Sequence, residues 1–360
     1  MKQFILLIVF TFTVTTGALA QGIQFLNDTV FENVLAKAKA ENKLVFMDCY
    51  AVWCGPCKYM DANIFPDEAL GAFHNANFIN VKYDMEQPYG MKIRSAYGIK
   101  AYPSFLYLDG DGEVVHRVVG SVEKPEDFLA ISKLATDPEK NFRAVNTNIL
   151  LGDRRATTIR NYLDMNYGAS NTDTLINEHF SLIPETQKLS KATWELMKEY
   201  GTAVSGAAFN YYLNNKAAYL GAFGKEEVDE YLYSVLSDTY RKSPATYESL
   251  KSHDEQVFAN HQREMNFRKA HSAFSRDKAN KQLWSDYILA SEVFINQNNP
   301  QPGFVTSIAR TILSNYATFK DKASLNKALL WVSNARKNFP DQKELNTLSE
   351  ELMKATGKKK

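Results

Sequence analysis

Residues 44–57 read LVFMDCYAVWCGPC, an apolar run of four residues followed by two cysteines in the motif Trp53-Cys54-Gly55-Pro56-Cys57. The run at 44–47 is short and continuous, which is typical of a buried central strand. A helical pattern begins at Cys54, so this cysteine falls at a helix N-terminus. Free N–H groups and the helix dipole stabilise a thiolate at that position. The stretch therefore predicts a redox-active cysteine pair where a central strand leads into a helix.

The two cysteines are expected to differ in accessibility and in role. Cys54 lies at the helix N-terminus, where its thiol can be exposed, and Cys57 lies one turn later, shielded by the body of the domain. The expected cycle is attack by Cys54 on a substrate disulfide, formation of a mixed disulfide, and resolution by Cys57. Trp53 is expected to cover one side of the pair, and Pro56 to fix the backbone of the first helical turn.

Residues 22–136 alternate between helix and strand patterns. Strands are predicted at 44–47, 78–83, 104–108 and 114–119, and the last two flank the hairpin signal DGDG at 109–112. The helix that begins at Cys54 is expected to run to residue 64, where Phe65-Pro66 breaks it and Pro66 becomes the first residue of the next helix. The order strand–helix–strand–helix–strand–strand–helix predicts a small mixed α/β layer fold.

The motif around the cysteines resembles the active-site motif of the thioredoxin family, which it matches at Trp53, Cys54, Gly55, Pro56 and Cys57. The resemblance implies a thioredoxin-like α/β domain with thiol–disulfide oxidoreductase activity over roughly residues 22–136.

Further residues acquire expected roles from this resemblance. Asp48 stands where the family places a buried acid beneath the pair, and a role as proton acceptor for Cys57 would explain a carboxylate at the end of an apolar strand. Lys82 matches a family lysine that faces this acid, although a surface lysine at a strand end is an equal alternative.

The segment at residues 97–104 resembles the family segment that leads into its cis-proline. The resemblance implies a cis bond at Pro103 and a substrate-binding backbone at Tyr102, which would hydrogen-bond an extended chain. Gly120 matches a family glycine that lets substrate approach. An ordinary trans proline that starts a strand is the alternative for Pro103.

Two positions depart from the family pattern. Ala62 replaces a proline that often kinks the active-site helix, which makes this helix more like that of exported thioredoxin-like reductases and of the terminal domain of the membrane electron-transfer protein for the periplasm. Tyr102 is bulkier than the usual residue before the proline, so it bears on substrate choice.

The third cysteine, Cys49, should point away from Asp48 and be a buried inert thiol. A redox role for Cys49 would need the opposite face of the sheet to be exposed.

The N-terminus has the pattern of a secretory signal peptide at residues 1–20. Lys2 precedes an apolar run at 4–10, and Ala18-Leu19-Ala20 forms a small-x-small cleavage site. An uncleaved membrane anchor is the alternative, but the apolar run is short and threonines interrupt it. The sequence therefore predicts an exported protein, periplasmic or extracellular.

Charge and residue spacing argue against several function classes. The 42 Lys and Arg residues balance 41 Asp and Glu residues, so no basic surface indicates nucleic acid as a partner. The six histidines are scattered without a metal-ligand spacing, and two cysteines alone cannot complete a zinc site. We therefore expect neither a metal nor any other cofactor.

Beyond Asp137-Pro138 the sequence predicts helices almost exclusively. Helix-period segments lie at 139–152, 154–166, 185–200, 225–241, 246–275, 278–296, 302–318, 321–338 and 342–355. The last two, around Trp331 and Pro340, resemble a tetratricopeptide-like pair. The domains are thus predicted at 1–20 (signal peptide), 21–136 (thioredoxin-like) and 137–360 (an array of antiparallel helices of unknown function). The many aromatic residues of this array are expected in its core, with a peptide-binding groove as the alternative.

Three functions remain open at this point. The first is reduction of protein disulfides, which in an oxidising compartment needs electrons from a membrane donor. The second is oxidation or isomerisation of exported thiols in the same fold. The third is a helical-repeat binding protein with an accessory redox domain. The presence of both cysteines, Asp48 and Pro103 counts against the third. The substrate, the direction of the reaction and the oligomeric state are not predicted.

Overall fold

The structure, a computed structural model, describes residues 22–27, 30–298 and 300–357. The predicted signal peptide lies outside the described residues. The chain divides into two compact units, Met1–Gly201 and Thr202–Lys360. The two units meet at residues 201 and 202, whereas the sequence predicts a domain boundary at residues 136 and 137. That boundary stays a prediction. Among the described residues, no helix has both the length and the apolar character needed to cross a bilayer.

The first unit is built on a four-stranded sheet. Its strands are β1 (Leu44–Tyr50), β2 (Phe78–Asp84), β3 (Ser104–Leu108) and β4 (Val114–Val119). Their order is β2-β1-β3-β4, with β1 and β2 parallel and the other two pairings antiparallel. All four predicted strands are confirmed, and the apolar run at 44–47 lies in the central strand β1.

Five helices accompany the sheet: α1 (Phe31–Glu41), α2 (Gly55–Tyr59), α3 (Glu68–Asn77), α4 (Pro88–Tyr97) and α5 (Pro125–Thr136). Successive residues of a strand point to opposite faces. Val45, Met47 and Cys49 accordingly pack in one core with residues of α1 and α4. Phe46 lies in the core on the other face, together with residues of α3 and α5. The predicted thioredoxin-like α/β layers are therefore confirmed, and Cys49 is buried as expected.

The active-site helix and its successor differ in detail from the prediction. After α2 the chain continues as a π-helical turn, Met60–Ile64, which contains Ala62. The prediction that Pro66 is the first residue of the next helix is wrong, because α3 begins at Glu68. The carboxylate of Asp67 accepts the N–H of Leu70 at 2.8 Å and caps that helix, so its start is set two residues later.

Five more helices complete the first unit: α6 (Phe142–Leu150), α7 (Ala156–Met165), α8 (Thr172–Leu182), α9 (Glu185–Lys188) and α10 (Lys191–Tyr200). Helices α6 and α7 pack on the outer strand β4. The N–H of Phe142 donates to His116 Nδ1 at 3.2 Å, and Arg143 forms an ion pair with Asp109 at 2.6 Å. Helices α6 and α7 thus cover the β4 edge of the sheet.

Among its described residues, the second unit contains helices and no strand. It comprises α11 (Ala207–Phe223), α12 (Lys225–Lys242), α13 (Pro244–Ser249), a 3-10 turn (Leu250–His253), α14 (Glu255–Arg276), α15 (Lys281–Asn298), α16 (Pro302–Phe319), α17 (Lys322–Asn338) and α18 (Lys343–Thr356). Consecutive helices pack against each other, and Trp284, Tyr287 and Trp331 lie in a core formed by α14 to α18. The predicted long helical region is confirmed, and these aromatic residues are core residues. The tetratricopeptide-like resemblance stays a prediction.

Two helices, α8 and α11, were not predicted from the sequence. Asn214-Asn215 has the composition of a turn, but the chain passes through it within α11. Asn215 has non-helical dihedral angles (φ −126°, ψ 21°) inside this helix, and its side chain donates to the carbonyl of Tyr211 at 2.9 Å. Packing of Phe209, Tyr212 and Tyr219 in the core outweighs the local preference for a turn.

Candidate active site

The cysteine pair lies where the chain leaves β1 and enters α2. Cys54 is the N-cap of this helix, and its Sγ accepts the N–H of Cys57 at 3.1 Å. The two sulfurs form a disulfide. Gly55 opens the helix and Pro56 stands in its first turn, where a missing N–H leaves no partner unsatisfied. The local structure is therefore the one that the sequence predicts, with the Cys54 sulfur beside the free N–H groups of a helix.

Both cysteines are almost completely buried in this oxidised state. Cys54 is 2% exposed and Cys57 is 3% exposed, so the expectation of an exposed Cys54 sulfur is wrong for the disulfide form. The physical reason is that both cysteines join a small apolar cluster with Ala51, against which Tyr50 and Tyr102 pack. An attacking thiolate must displace part of this cover.

Trp53, the first residue of the motif, is 65% exposed. Its indole Nε1 donates to Glu86 Oε2 at 2.8 Å, and its ring lies edge-on to Tyr102 with 6.0 Å between centroids. Trp53 therefore stands at the rim of the cysteine pair and presents apolar surface to the solvent.

Asp48 is a buried acid with an incomplete set of partners. It is 2% exposed, and its Oδ2 lies 3.2 Å from Lys82 Nζ. Within the described part of the chain, its Oδ1 has no hydrogen-bond partner. Burial raises the pKa of Asp48 to about 7, and the attraction of Lys82 only partly opposes this shift. A carboxyl group that titrates near neutrality can both accept and release a proton there, as the predicted role requires.

Lys82 joins two carboxylates. It faces Asp48 and also pairs with Asp61, which is exposed. Its ammonium lies 5.0 to 5.4 Å from the ring centroids of Phe25, Tyr50 and Phe65, a distance range in which a cation is attracted to an aromatic face. Of the two alternatives for Lys82, the structure favours the one in which it faces the buried acid.

Asp61 is the site residue that the sequence analysis missed. It lies in the π-helical turn Met60–Ile64, seven residues after Cys54. Seven residues are about two helical turns, so an acid at this spacing shares the face of Cys54. That spacing is the signal that could have identified it. A surface depression lined in part by Phe25, Asp61 and Lys82 connects this cluster to the solvent.

The segment before β3 brings Tyr102, Pro103 and Gly120 together. The Tyr102–Pro103 bond is cis, as the resemblance implies. The N–H of Gly120 donates to the carbonyl of Pro103 at 2.9 Å. Gly120 has φ +104°, which L side chains rarely adopt, so the backbone conformation itself requires glycine there. The substrate-binding roles of these residues stay predictions.

The buried histidines are structural residues. His74, His116, His179 and His261 are buried, and each ring is hydrogen-bonded. In the described parts of the chain, no group of three His, Cys, Asp or Glu residues could hold a metal ion.

The known proteins compared below match a third of this chain or less. A family model described as a thioredoxin-like domain matches residues 31–136. Thioredoxin H4 from Arabidopsis thaliana is 39% identical over 96 residues, which cover 27% of this chain and 74% of that protein. An H-type thioredoxin from Oryza sativa subsp. indica is 34% identical over 95 residues, covering 26% and 72%.

A solution structure of a candidate disulphide-isomerase from Bacteroides thetaiotaomicron is also similar. It is 41% identical, with 33% of this chain and 98% of that chain covered and a TM-score of 0.30. The H-type relatives share the sheet domain over more than two thirds of their length, and the family has thiol–disulfide oxidoreductase activity in general. Through the domain at residues 31–136, this chain belongs to the thioredoxin family.

Proposed function

We propose that this protein is an exported oxidoreductase that reduces disulfides in proteins, with Cys54 as the attacking cysteine and Cys57 as the resolving cysteine. The observation that carries the proposal is the position of Cys54 as N-cap of α2, where the helix stabilises its thiolate. Cys57, one turn later, is already bonded to it in the oxidised state.

The catalytic cycle begins with the reduced pair. The Cys54 thiolate attacks one sulfur of a substrate disulfide, which breaks the substrate S–S bond and releases the other substrate sulfur as a thiolate. Cys57 then loses its proton and attacks Cys54, which releases the second substrate thiol and forms the Cys54–Cys57 disulfide. The substrate gains two electrons and the pair loses two.

Asp48 is proposed to accept the Cys57 proton. Its carboxyl group is buried, its Oδ1 has no hydrogen-bond partner among the described residues, and its pKa is raised to about 7. A proton acceptor is useful here because the resolving thiol must ionise while it is shielded from water.

The direction and the location of the reaction rest on the sequence. Gly55-Pro56 between the cysteines resembles the reducing members of the family, and residues 1–20 have the pattern of a signal peptide. An exported, periplasmic or extracellular reductase works in an oxidising compartment, so it needs electrons from a membrane partner. The alternative is an oxidase or isomerase of exported thiols, which suits an oxidising compartment.

The helical region is proposed to recruit substrate proteins. Its length and the tetratricopeptide-like pair around Trp331 and Pro340 support this role. The second unit alone, Thr202–Lys360, should then retain proteins that the full-length chain captures as mixed disulfides. Failure to bind any of the captured proteins would leave the redox domain as the only recognition element.

Reduction of insulin by dithiothreitol tests the activity. The chain without residues 1–20 should accelerate the reaction, and Cys54→Ser should abolish the acceleration, because only Cys54 makes the first bond. Cys49→Ala is the matched control, since Cys49 is a buried thiol in the core on the α1 and α4 side of the sheet. Full activity of Cys54→Ser would contradict the proposal.

Measurement of the reduction potential separates the two directions. A potential near that of thioredoxin, about −270 mV, would support a reductase, whereas one of about −180 mV or higher would support an isomerase or oxidase.

A further inference from the structure

A pocket of about 420 Å³ lies beside β4, where the segment that follows α4 meets the loop between α7 and α8. This volume is within the range of pockets that hold small molecules. The lining includes the cations Lys100 and Arg117, and none of the described residues that line the pocket is an acid. The two cysteines of the redox pair do not line it either. The pocket is therefore a second candidate site in the first unit, with an excess of positive charge.

Arg117 brings a charge without a counter-ion into this pocket. It lies on β4, its side chain is half-buried, and its guanidinium carbon lies 5.9 Å from the ring centroid of Phe142. Its Nε is buried without a hydrogen-bond partner, and among the described residues the guanidinium forms no ion pair with a carboxylate. A buried N–H of a charged group costs free energy when it lacks a partner, and an anion in the pocket would remove that cost.

Lys100 supplies the second cation, at the rim of the pocket. Gly98 ends α4 in the left-handed conformation at φ +61°, and Lys100 follows it on the surface. Its Nζ donates to the carbonyl of Gly168 at 2.7 Å, which ties the lysine to the loop between α7 and α8. An ammonium has three N–H donors, so two remain for a ligand. Like Arg117, it forms no ion pair with a carboxylate in the part of the chain that the structure describes.

The start of α8 adds to the positive potential. Asn171 lines the pocket and is the N-cap of this helix, and its side chain makes no capping hydrogen bond. The N-terminus of a helix carries a partial positive charge. The acid in the first turn, Asp173, is exposed and does not line the pocket. The pocket is thus bounded by two cations and a helix N-terminus.

We propose that this pocket binds a phosphate group, with Arg117 and Lys100 as the residues that hold it. A phosphate monoester carries a charge of about −1.5 to −2 at neutral pH, which two cations balance, whereas one carboxylate would neutralise only one of them. The planar fork of a guanidinium matches two phosphate oxygens at once. Binding at this site does not depend on the redox reaction, so the protein has a second ligand class beside its thiol and disulfide substrates.

Isothermal titration calorimetry of the purified protein at constant ionic strength in a chloride buffer tests the proposal. The probes are inorganic phosphate, phenyl phosphate and acetate. Both phosphates should bind the wild-type protein, and acetate should bind at least about tenfold more weakly, because it carries a single charge. Arg117→Gln should weaken phosphate binding by at least about tenfold, since it removes charge-assisted hydrogen bonds. Lys100→Gln should weaken it to a smaller extent, because the ammonium is exposed.

Arg155→Gln is the matched control. Arg155 lies in the same unit, its side chain is 75% exposed and it pairs with Asp153 outside the pocket, so this variant should keep the wild-type affinity. If Arg117→Gln fails to fold, as judged by circular dichroism, the exposed Lys100 decides the test.

Two results would overturn the proposal: a wild-type protein that binds phosphate no more tightly than acetate, or unchanged phosphate affinity in Lys100→Gln and in folded Arg117→Gln. Loss of affinity in the pocket variants supports it. Tighter binding of phenyl phosphate than of inorganic phosphate would then identify an organic phosphate as the ligand, and equal binding would identify the free ion.

Discussion

Asp48 on β1 and Lys82 on β2 are directly opposite each other in the parallel register, and their charged groups lie 3.2 Å apart. The same ammonium also pairs with Asp61. One partly buried cation therefore serves two carboxylates, of which one is buried and the other is exposed. Because Lys82 is shared with Asp61, its attraction only partly stabilises the negative charge of Asp48. Burial therefore has the larger effect and raises the pKa of Asp48.

The first prediction concerns stability and pH in Asp48→Asn. The pKa of Asp48 is raised from 3.8 to about 7 in the folded protein, so the folded state binds more protons than the unfolded state between these values. The free energy of unfolding should therefore fall as the pH rises between these two pKa values, by up to about 1.4 kcal/mol per pH unit.

The neutral variant should escape this loss. Asp48→Asn should be more stable than the wild-type protein at pH 8 and similar to it near pH 4, as measured by urea unfolding at both values. Lys82 keeps Asp61 as its partner in the variant. A variant that is less stable than the wild-type protein at pH 8 would contradict the buried-charge argument.

The second prediction separates the two neighbours of Asp48. The negative charge of Asp61 raises the pKa of Asp48, and the positive charge of Lys82 lowers it. Asp61→Asn should therefore lower the pKa of Asp48, because it removes the repulsion and leaves Lys82 to Asp48 alone. Lys82→Met should raise it. Carbon-13 NMR titration of the Asp48 carboxyl measures its pKa in each variant. If both substitutions shifted this pKa in the same direction, the charges of Asp61 and Lys82 would not be its determinants.

The third prediction distinguishes the two cysteines. Cys57→Ser should accumulate mixed disulfides with substrate proteins, because Cys54 can attack but nothing resolves the product. Cys54→Ser should accumulate few, because Cys57 lacks the N-cap position in which the Cys54 sulfur accepts a helix N–H. Non-reducing electrophoresis of cells that express each variant shows the trapped species. Equal trapping by both variants would refute the assignment of roles.

The fourth prediction concerns the second unit. Asp321 caps α17 by accepting the N–H of Ser324 at 3.0 Å, and it also accepts the indole N–H of Trp284 at 3.0 Å. Asp321→Ala removes both bonds and should destabilise this unit by about 1–3 kcal/mol. Hydrogen exchange at the start of α17 should accelerate accordingly. Asp286→Ala is the control, since this exposed residue accepts a local bond from Gln282 within α15, and equal effects would contradict the capping role.

Much of the first domain was predictable because its signals are local. The continuous apolar run at 44–47 and the turn residues at 109–112 indicate strands through the composition of a few neighbouring residues. The predicted strands agree with the structure, and so does the N-cap position of Cys54. The start of α3 was predicted wrongly because Pro66 and Asp67, which are adjacent, both have a typical place at a helix start. Pro66 favours the first helical position, but Asp67 is the N-cap, so the helix begins after it.

The part of the site that was not predicted depends on residues far apart in the chain. Asp61 and Lys82 are 21 residues apart, and only the placement of β2 beside β1 brings the lysine to both acids. Tyr102, which packs against the cysteine cluster together with Tyr50, likewise lies on a different segment of the chain, directly before β3. No local pattern encodes either contact.

The sequence by itself determined the succession of strands along the chain, the helical character of the second half and the identity of the redox pair. These features depend on periodicity, on turn residues and on the spacing of two cysteines, all of which involve only a few neighbouring positions. Only the tertiary structure decided that the disulfide is covered and that Asp48 shares its lysine with Asp61. The physical reason is that burial and charge pairing depend on which segments the sheet register brings together. The distances between these side chains are set only when the whole domain is packed.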